Sequence, residues 1–334
     1  MNLRLFSPER AAIRPEHFRS ENPGPATGSL SVVVPVYNSE PVLPALLRRL
    51  EPVLAALSCE YEVILVNDAS RDRSWEVIQD LARQHSCVRG INLMRNYGQH
   101  NALLCGIRAA AYETLVTMDD DLQHPPEEIP KLLGMLEEGF DVVYGFPEAQ
   151  QHGVLRDLAS EFTKLALRSS MGAETARHVS AFRAFRTRAR EAFAEYHSPF
   201  VSIDVILTWA TTRFAAIKVR HDPRACGPSN YTFGKLFTHA MNMLTGFSTL
   251  PLQVANLVGF FCTLFGAGLL LFLVGRYLLR GTTVPGFTFL ACTIAIFSGA
   301  QLLALGIIGE YLARMHFRMM ERPTYTVRDQ ITKK

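Results

Sequence analysis

Short apolar runs alternate with amphipathic stretches along the first half of the chain. The apolar runs are rich in Val, Ile and Leu and end in polar residues, and the stretch after the first run repeats leucines at helical spacing: Leu43, Leu46, Leu47 and Leu50. Such alternation of buried strands and helices is typical of an α/β domain with a mostly parallel, Rossmann-like sheet. The predicted strands are residues 30–36, 63–66, 88–93, 115–118 and 142–144.

The polar residues that follow these strands are candidates for a ligand site. Tyr37, Asp68, Arg95 and Asp119 each stand just after a predicted strand. Because open α/β sheets bind their ligands at the carboxyl ends of the strands, these side chains are expected at one edge of the sheet. Four polar strand ends are a stronger signal than any one of them.

The chain contains a run of three consecutive acidic residues, Asp119, Asp120 and Asp121. Adjacent carboxylates repel one another unless a cation is present, and hard ions such as Mg²⁺ or Mn²⁺ prefer oxygen ligands. If the strand continues through the acids, Asp119 and Asp121 point the same way and reach one ion. Gln123 adds a neutral oxygen. An isolated Asp-x-Asp is more often a solvated acidic turn, so the predicted metal site depends on the neighbouring strand ends.

The last third of the chain contains two long uncharged segments. Residues 253–275 and 287–309 each run for 23 positions without a charge, and residues 276–286 join them. A helix of that length is about 35 Å long, enough to cross a hydrocarbon core of about 30 Å, so the pattern predicts a transmembrane hairpin. Residues 235–250 repeat apolar side chains at helical spacing, which fits either a core helix or an interfacial helix on the membrane.

Charge and motif content narrow the function further. The net charge of +3 gives no reason to invoke nucleic acid. The six cysteines make no Cys-x-x-Cys pair and no zinc spacing, and the glycine motifs of dinucleotide-binding proteins, P-loop enzymes and serine hydrolases are missing. Arg314, Arg318 and Arg322 favour a cytoplasmic location for the chain ends, although Arg276 and Arg280 weaken the charge asymmetry.

Several motifs resemble those of a known family. Residues 35–40 (Pro-Val-Tyr-Asn-Ser-Glu), 66–72 (Val-Asn-Asp-Ala-Ser-Arg-Asp) and 118–126 (Met-Asp-Asp-Asp-Leu-Gln-His-Pro-Pro) resemble the three signature segments of family 2 glycosyltransferases of GT-A fold. Residues 95–99 and 227–235 resemble segments of the polyprenyl-phosphate glycosyltransferases, such as dolichyl-phosphate mannose synthases, bactoprenol glucosyltransferases and the formamido-arabinose transferase that acts on undecaprenyl phosphate. The resemblance extends from about residue 30 to residue 328, and the tail resembles a strand that such enzymes lend to a neighbouring subunit.

The resemblance implies a role for each matching residue. Those expected to bind the nucleotide-sugar, with uridine as the base, are Pro35, Tyr37, Glu40, Asp68, Arg95, Asp119 and Asp120. Those expected to hold Mg²⁺ or Mn²⁺ on the diphosphate are Asp119, Asp121 and Gln123. Those expected at the acceptor phosphate or in a closing loop are Arg156, Arg183, Arg224, Ser229, Tyr231 and Lys235. The expected catalytic residues are Asp121, Arg183 and Arg224.

Chemistry also supports arginines as phosphate ligands, because the two parallel N–H donors of a guanidinium match the spacing of two phosphate oxygens. Any one arginine taken alone more often makes a surface salt bridge. Two positions depart from the family pattern: Asn67 stands where an acid is frequent, and Ala181 precedes the Phe-Arg pair where many members carry an acid. A catalytic base at Ala181 is therefore not expected. A lipid phosphate is already ionised near neutral pH, so the reaction needs little general-base help, and direct displacement with inversion is predicted.

The predicted architecture is an N-terminal arm (1–28), a GT-A domain (29–230), a juxtamembrane amphipathic helix (231–251), a transmembrane hairpin (252–310) and a cytoplasmic tail (311–334). The predicted function is metal-dependent, inverting transfer of a sugar from a nucleotide-sugar, preferably a UDP-sugar, to polyprenyl (undecaprenyl) phosphate. The predicted location is the cytoplasmic face of the inner membrane, with a multi-pass anchor. Expected partners are the donor, the lipid, the membrane and further copies of the chain in a tetramer or dimer.

Two alternative functions stay open at this point. A processive polysaccharide synthase of the same family usually carries a Gln-x-x-Arg-Trp segment and more membrane helices, whereas the two tryptophans here, Trp75 and Trp209, lie in other contexts. A catalytically idle relative that scaffolds a membrane assembly is the other alternative. The three intact acids argue against an idle scaffold. Metal-dependent release of the nucleotide would distinguish an active transferase from such a scaffold.

Overall fold

The computed structural model describes residues 28–58, 60–147, 178–198, 201–222, 250–280 and 286–332. They form two compact units, a sheet domain that includes the tail from Glu321 and a pair of long helices. The strands are β1 Leu30–Val36, β2 Tyr61–Asn67, β3 Val88–Leu93, β4 Thr114–Thr117, β5 Val142–Pro147, β6 Arg183–Arg186, β7 Phe214–Val219 and β8 Val327–Thr332. The helices are α1 Leu43–Leu57, α2 Ser74–Gln84, α3 Gln99–Ala109, α4 Ile129–Glu137, α5 Ile203–Ala210, α6 Leu250–Arg280 and α7 Phe287–Met319.

The eight strands of the described residues form one sheet in the order β7-β5-β6-β4-β1-β2-β3-β8. β1 pairs in parallel with β2 and β4, β2 with β3, and β5 with β7. β6 and β8 run antiparallel to their neighbours. Six strands therefore run the same way and place their carboxyl ends at one edge, which confirms the predicted mostly parallel α/β sheet.

The core lies between the central strands and the helices that cover them. β1 is buried along its whole length, as expected for a strand covered on both faces. α1 buries one face of leucines in this core: Leu43, Leu46, Leu47, Leu50, Leu54 and Leu57. α3 approaches β1 so closely that a Cβ atom on Gly106 would lie 2.3 Å from Val33 Cγ1. Only glycine fits there, so Gly106 allows α3 to pack closely against β1.

Several boundaries differ from the predicted ones. The strand predicted at 115–118 is Thr114–Thr117, and the helix predicted to start at Pro126 begins with a 3₁₀ turn before α4. The tail adds a strand to the sheet, because β8 pairs with β3 of the same chain. The N-terminal arm to residue 27 and residues 231–249 of the predicted juxtamembrane helix lie outside the described residues.

The second unit consists of α6 and α7. Within them, Pro251–Leu279 and Ile296–Met319 are long and apolar enough to cross a membrane, and none of their most apolar stretch is buried inside the protein. The two helices pack on each other at Gly266, where an added Cβ would lie 3.0 Å from Phe297 Cζ. Length and composition therefore agree with the predicted membrane anchor.

Candidate active site

The loops that follow β1, β2 and β4 are hydrogen-bonded to one another at the carboxyl edge of the sheet. Asn38 donates its N–H to Ser70 Oγ at 3.0 Å, and its side-chain oxygen accepts the N–H of Arg71 at 2.8 Å. Ser39 Oγ donates to Asp120 Oδ2 at 2.5 Å. The structure thus brings three of the predicted strand ends into contact.

The same three loops contain unusual backbone. Asn38, Ala69 and Leu122 have φ angles of 55°, 52° and 59°, and they are three of the four non-glycine residues with positive φ among those described. Left-handed backbone is unfavourable for most L-residues and concentrates at functional sites that the surrounding structure supports. Each of the three loops therefore contains one residue with backbone of the kind that is often found at functional sites.

The acidic run lies on a loop instead of on the strand. β4 ends at Thr117, so the predicted alternation that would align Asp119 with Asp121 is wrong, since alternation holds only while the backbone is extended. Asp119 Oδ1 accepts a hydrogen bond from Gln99 Nε2 at 2.5 Å, and Asp121 Oδ1 accepts the N–H of Gln123 at 3.1 Å. The carboxylates are oriented by these neighbours.

Asp120 differs from its two neighbours. It accepts the hydroxyl of Ser39 and the backbone N–H of Tyr37, both from the loop after β1. Burial raises the pKa of Asp120 to about 6, against the opposite effect of these hydrogen bonds. The structure therefore gives Asp120 an internal contact that joins two loops of the site.

The donor atoms fit a hard divalent cation. Asp119, Asp121 and Gln123 supply two carboxylates and an amide oxygen within five residues of one half-buried loop. No three His, Cys, Asp or Glu side chains converge on a metal position in the described ranges. An ion here would complete its shell with substrate or water oxygens, as Mg²⁺ commonly does.

Asp68 holds the loop after β3. Its two carboxylate oxygens accept the backbone N–H groups of Tyr97 at 2.7 Å and Gly98 at 2.8 Å, and it is 3% exposed. Burial raises the pKa of Asp68, and the two hydrogen bonds partly oppose that rise. Both carboxylate oxygens of Asp68 therefore already join the end of β2 to the loop after β3. The predicted contact of Asp68 with the nucleoside would have to share these oxygens.

Arg183 lies in surroundings that differ from those predicted. It is 1% exposed, its guanidinium is paired with Asp204 of α5, and its Nε donates to Thr117 Oγ1 at 3.0 Å. The ring centroid of Tyr144 lies 5.9 Å from the guanidinium carbon. Because its donors face protein groups inside the core, Arg183 is placed to support the end of β4 and not to contact an acceptor phosphate.

The remaining predicted residues divide into three groups. Pro35 is buried within β1, and Tyr37 at the end of that strand is 38% exposed. Glu40 accepts the N–H of Arg73 at 3.2 Å, and the Arg95 guanidinium lies 4.6 Å from the centre of the Tyr97 ring. Outside the described residues lie Arg156, Arg224, Ser229, Tyr231 and Lys235.

A pair of histidines beside the acids was missed in the sequence. His124 stacks on Phe182 with ring centroids 5.3 Å apart and meets the edge of His221 at 5.1 Å. Burial lowers the pKa of His124 to about 4, with His221 acting in the same direction. The chain after β7 also contacts this loop, since Asp222 donates its N–H to the Gln123 carbonyl at 2.8 Å. The sequence does contain a clue to this contact, because polar residues follow β7 directly, as they follow the strands whose ends were predicted to form the site.

Comparison with known proteins places the chain among the glycosyltransferases. A family model described as glycosyl transferase family 2 matches residues 31–196. A glucosyl-3-phosphoglycerate synthase from Mycobacterium tuberculosis, solved with Mn²⁺, UDP and glucosyl-3-phosphoglycerate, has a similar fold, with a TM-score of 0.50 and 18% identity over 66% of this chain and 79% of that one. The sheet is thus of the GT-A type.

The relatives narrow the class. An undecaprenyl-phosphate 4-deoxy-4-formamido-L-arabinose transferase from Shewanella sediminis is 36% identical over 303 residues, 90% of this chain and 92% of that protein. A transferase of the same description from Pseudomonas aeruginosa is 36% identical and covers 89% of each chain. The chain belongs to glycosyl transferase family 2, and it is an enzyme of the sugar-transferring class.

Proposed function

We propose that the protein transfers a sugar from a UDP-sugar to a polyprenyl phosphate, with undecaprenyl phosphate as the expected carrier. The observation that carries this proposal is the convergence of the acidic loop with the loops after β1 and β2 at the carboxyl edge of a GT-A sheet. The reaction would take place at the cytoplasmic face of the inner membrane. Assembly as a tetramer or dimer stays a prediction.

The donor assignment is supported by the chemistry of the acidic loop. Asp119, Asp121 and Gln123 would hold Mg²⁺ or Mn²⁺, which would neutralise charge on the leaving diphosphate. Tyr37 is exposed at the end of β1, where a base can stack on it. The synthase from Mycobacterium tuberculosis with the same fold was solved with UDP and Mn²⁺, and we extend that combination to this chain.

The acceptor assignment is supported by the two apolar helices and by the relatives. Helices that can span a membrane suit an enzyme whose acceptor is a membrane lipid. The relatives that cover almost the whole chain act on undecaprenyl phosphate, as their names state.

The chain favours a single displacement. A phosphate oxygen of the lipid attacks the anomeric carbon, the bond from that carbon to the diphosphate oxygen breaks, and UDP leaves with the bonding electrons. Ala181 precedes the Phe182–Arg183 pair, so no acid stands there to act as base. An ionised phosphate needs none, and catalysis rests on positioning and on charge stabilisation. Inversion at the anomeric carbon follows.

Calorimetric titration of the purified protein with UDP tests the donor site without knowledge of the sugar. UDP is expected to bind in the presence of Mn²⁺ and to bind roughly tenfold more weakly in EDTA, because the diphosphate and the carboxylates then lack a shared cation. GDP is the comparison ligand and is expected to bind more weakly than UDP. Equal binding of UDP with and without metal would contradict the metal site, and tighter binding of GDP would contradict the choice of uridine.

A further inference from the structure

The loop after β3 joins the site at a residue other than the predicted one. The loops after β1, β2 and β4 contact one another directly. Arg95, the residue predicted at the fourth strand end, lies over the ring of Tyr97. Four positions later, Gln99 donates from Nε2 to Asp119 Oδ1 at 2.5 Å. The fourth strand end therefore reaches the acidic loop through the amide of Gln99.

The backbone that leads to Gln99 is held by its neighbours. Asp68, which is 3% exposed, accepts the N–H groups of Tyr97 and Gly98 at 2.7 and 2.8 Å. Asn101 Nδ2 donates to the Tyr97 carbonyl at 2.7 Å. Gln99 is also the first residue of α3, the helix that packs closely against β1. The position from which its side chain extends is thus fixed by the sheet and by a buried carboxylate.

Gly98 makes the turn between the held loop and α3. Its φ and ψ angles are 93° and 154°, a combination that is nearly confined to glycine. An added Cβ would meet no atom within 4 Å, so the backbone conformation and not a lack of space requires glycine here. This conformation allows Asp68 to accept the N–H of Gly98 while the next residue begins the helix.

The chemistry of the contact suits a carboxylate that also binds a cation. A carboxylate has about four acceptor sites on its two oxygens, so a hydrogen bond from Gln99 and a metal ion can share Asp119. An amide is a neutral donor, so it orients the carboxylate without cancelling the charge that attracts the ion. Groups that orient metal ligands in this way commonly change metal affinity by about 10- to 100-fold.

We propose that Gln99 is a positioning residue of the metal site: its amide fixes the orientation of Asp119, and the loop held by Asp68 fixes Gln99. This inference rests on the proposed function, in which Asp119 is a ligand of Mg²⁺ or Mn²⁺. It adds the loop after β3 to the metal site and gives Asp68 a part in the reaction that needs no contact with the nucleoside.

Gln99→Met tests the proposal, because it removes the amide and keeps an unbranched side chain of similar length. The Kd for UDP is measured by calorimetry at a series of Mn²⁺ concentrations and in EDTA. The Mn²⁺ concentration that gives half of the metal effect is expected to rise about tenfold or more, since Asp119 loses its orienting donor. The Kd for UDP in EDTA is expected to stay unchanged, because Gln99 acts through a metal ligand.

Gln330→Met is the matched control. It makes the same chemical change at an exposed glutamine of β8, and both the Mn²⁺ requirement and the Kd for UDP are expected to equal those of the wild type. The thermal midpoint of Gln99→Met is also expected to equal that of the wild type, because the side chain of Gln99 is exposed. A metal effect without a stability effect is what a purely structural contact would not produce.

The outcomes that would overturn the proposal differ from those that would overturn the proposed function. Gln99→Met with the Mn²⁺ requirement of the wild type would show that the amide does not position Asp119. A Kd for UDP that rises equally in EDTA would show that Gln99 acts on the nucleotide and not through the metal. A wild type whose binding of UDP does not depend on Mn²⁺ would instead overturn the proposed metal site, before any variant is compared.

Discussion

Asp121→Asn is expected to lower sugar transfer by about 10³-fold, the order of loss seen when a group that stabilises leaving-group charge is removed. Asp121 lies on the loop after β4, where a carboxylate, with Asp119 and Gln123, would hold the cation on the diphosphate. The substitution keeps the size of the side chain and removes its charge. The measurement is the initial rate of label transfer into organic-extractable lipid at saturating donor.

Asp120→Asn is the matched control, since it makes the same chemical change one residue earlier. Asp120 is turned towards Ser39 Oγ and the Tyr37 N–H, so it contributes to the joining of two loops. Its loss is expected to cost less than about tenfold in rate, the scale of one internal hydrogen bond. Equal losses in the two variants would contradict the assignment of Asp121 as the metal-binding acid.

Arg183→Met is expected to destabilise the sheet domain by about 3–5 kcal/mol, because it leaves the partly buried carboxylate of Asp204 without its partner. The thermal midpoint in detergent should fall by several degrees. The double variant Arg183→Met/Asp204→Leu should recover much of the loss, since it removes both charges and replaces them with apolar side chains of similar size.

Arg95→Met serves as the control for this second prediction. Arg95 is an exposed arginine that follows β3 and stacks on Tyr97, so its removal should leave the thermal midpoint unchanged. If Arg183→Met kept the midpoint of the wild type and lost transfer, Arg183 would bind substrate after all, and the structural role assigned to it would be wrong.

The sheet and the polar edge at which its loops meet were predictable because both depend on local pattern. Buried strands read as apolar runs, and the polar residues after β1, β2 and β4 do converge in the structure. The strand end was harder to place: Met118 is apolar and buried like its neighbours, yet β4 stops at Thr117, where pairing with β1 and β6 ends. The apolar character of a residue does not show where the neighbouring strands stop pairing with its own strand.

The partners of the site residues were not predictable because they come from distant parts of the chain. Arg183 looked like a phosphate ligand until Asp204, on a helix 21 residues later, proved to be its counter-ion. The tail strand pairs with β3 in a register that no local motif encodes, and its exchange with a neighbouring subunit stays a prediction. Asp68 carried the expected residue type, but its backbone partners at Tyr97 and Gly98 follow only from the packing of β2 beside β3.

Transfer of radiolabelled sugar into lipid by the full-length protein decides whether the proposed reaction takes place. The assay combines undecaprenyl phosphate, Mn²⁺ and a panel of α-linked UDP-sugars and GDP-sugars, with the lipid extracted into organic solvent and the anomeric configuration of the product determined. Direct displacement on a polyprenyl phosphate predicts label in the lipid from a UDP-sugar, joined by a β-linkage. A retained α-linkage would contradict direct displacement, and an absence of lipid label from every donor, in protein that binds UDP, would contradict a polyprenyl phosphate as the acceptor.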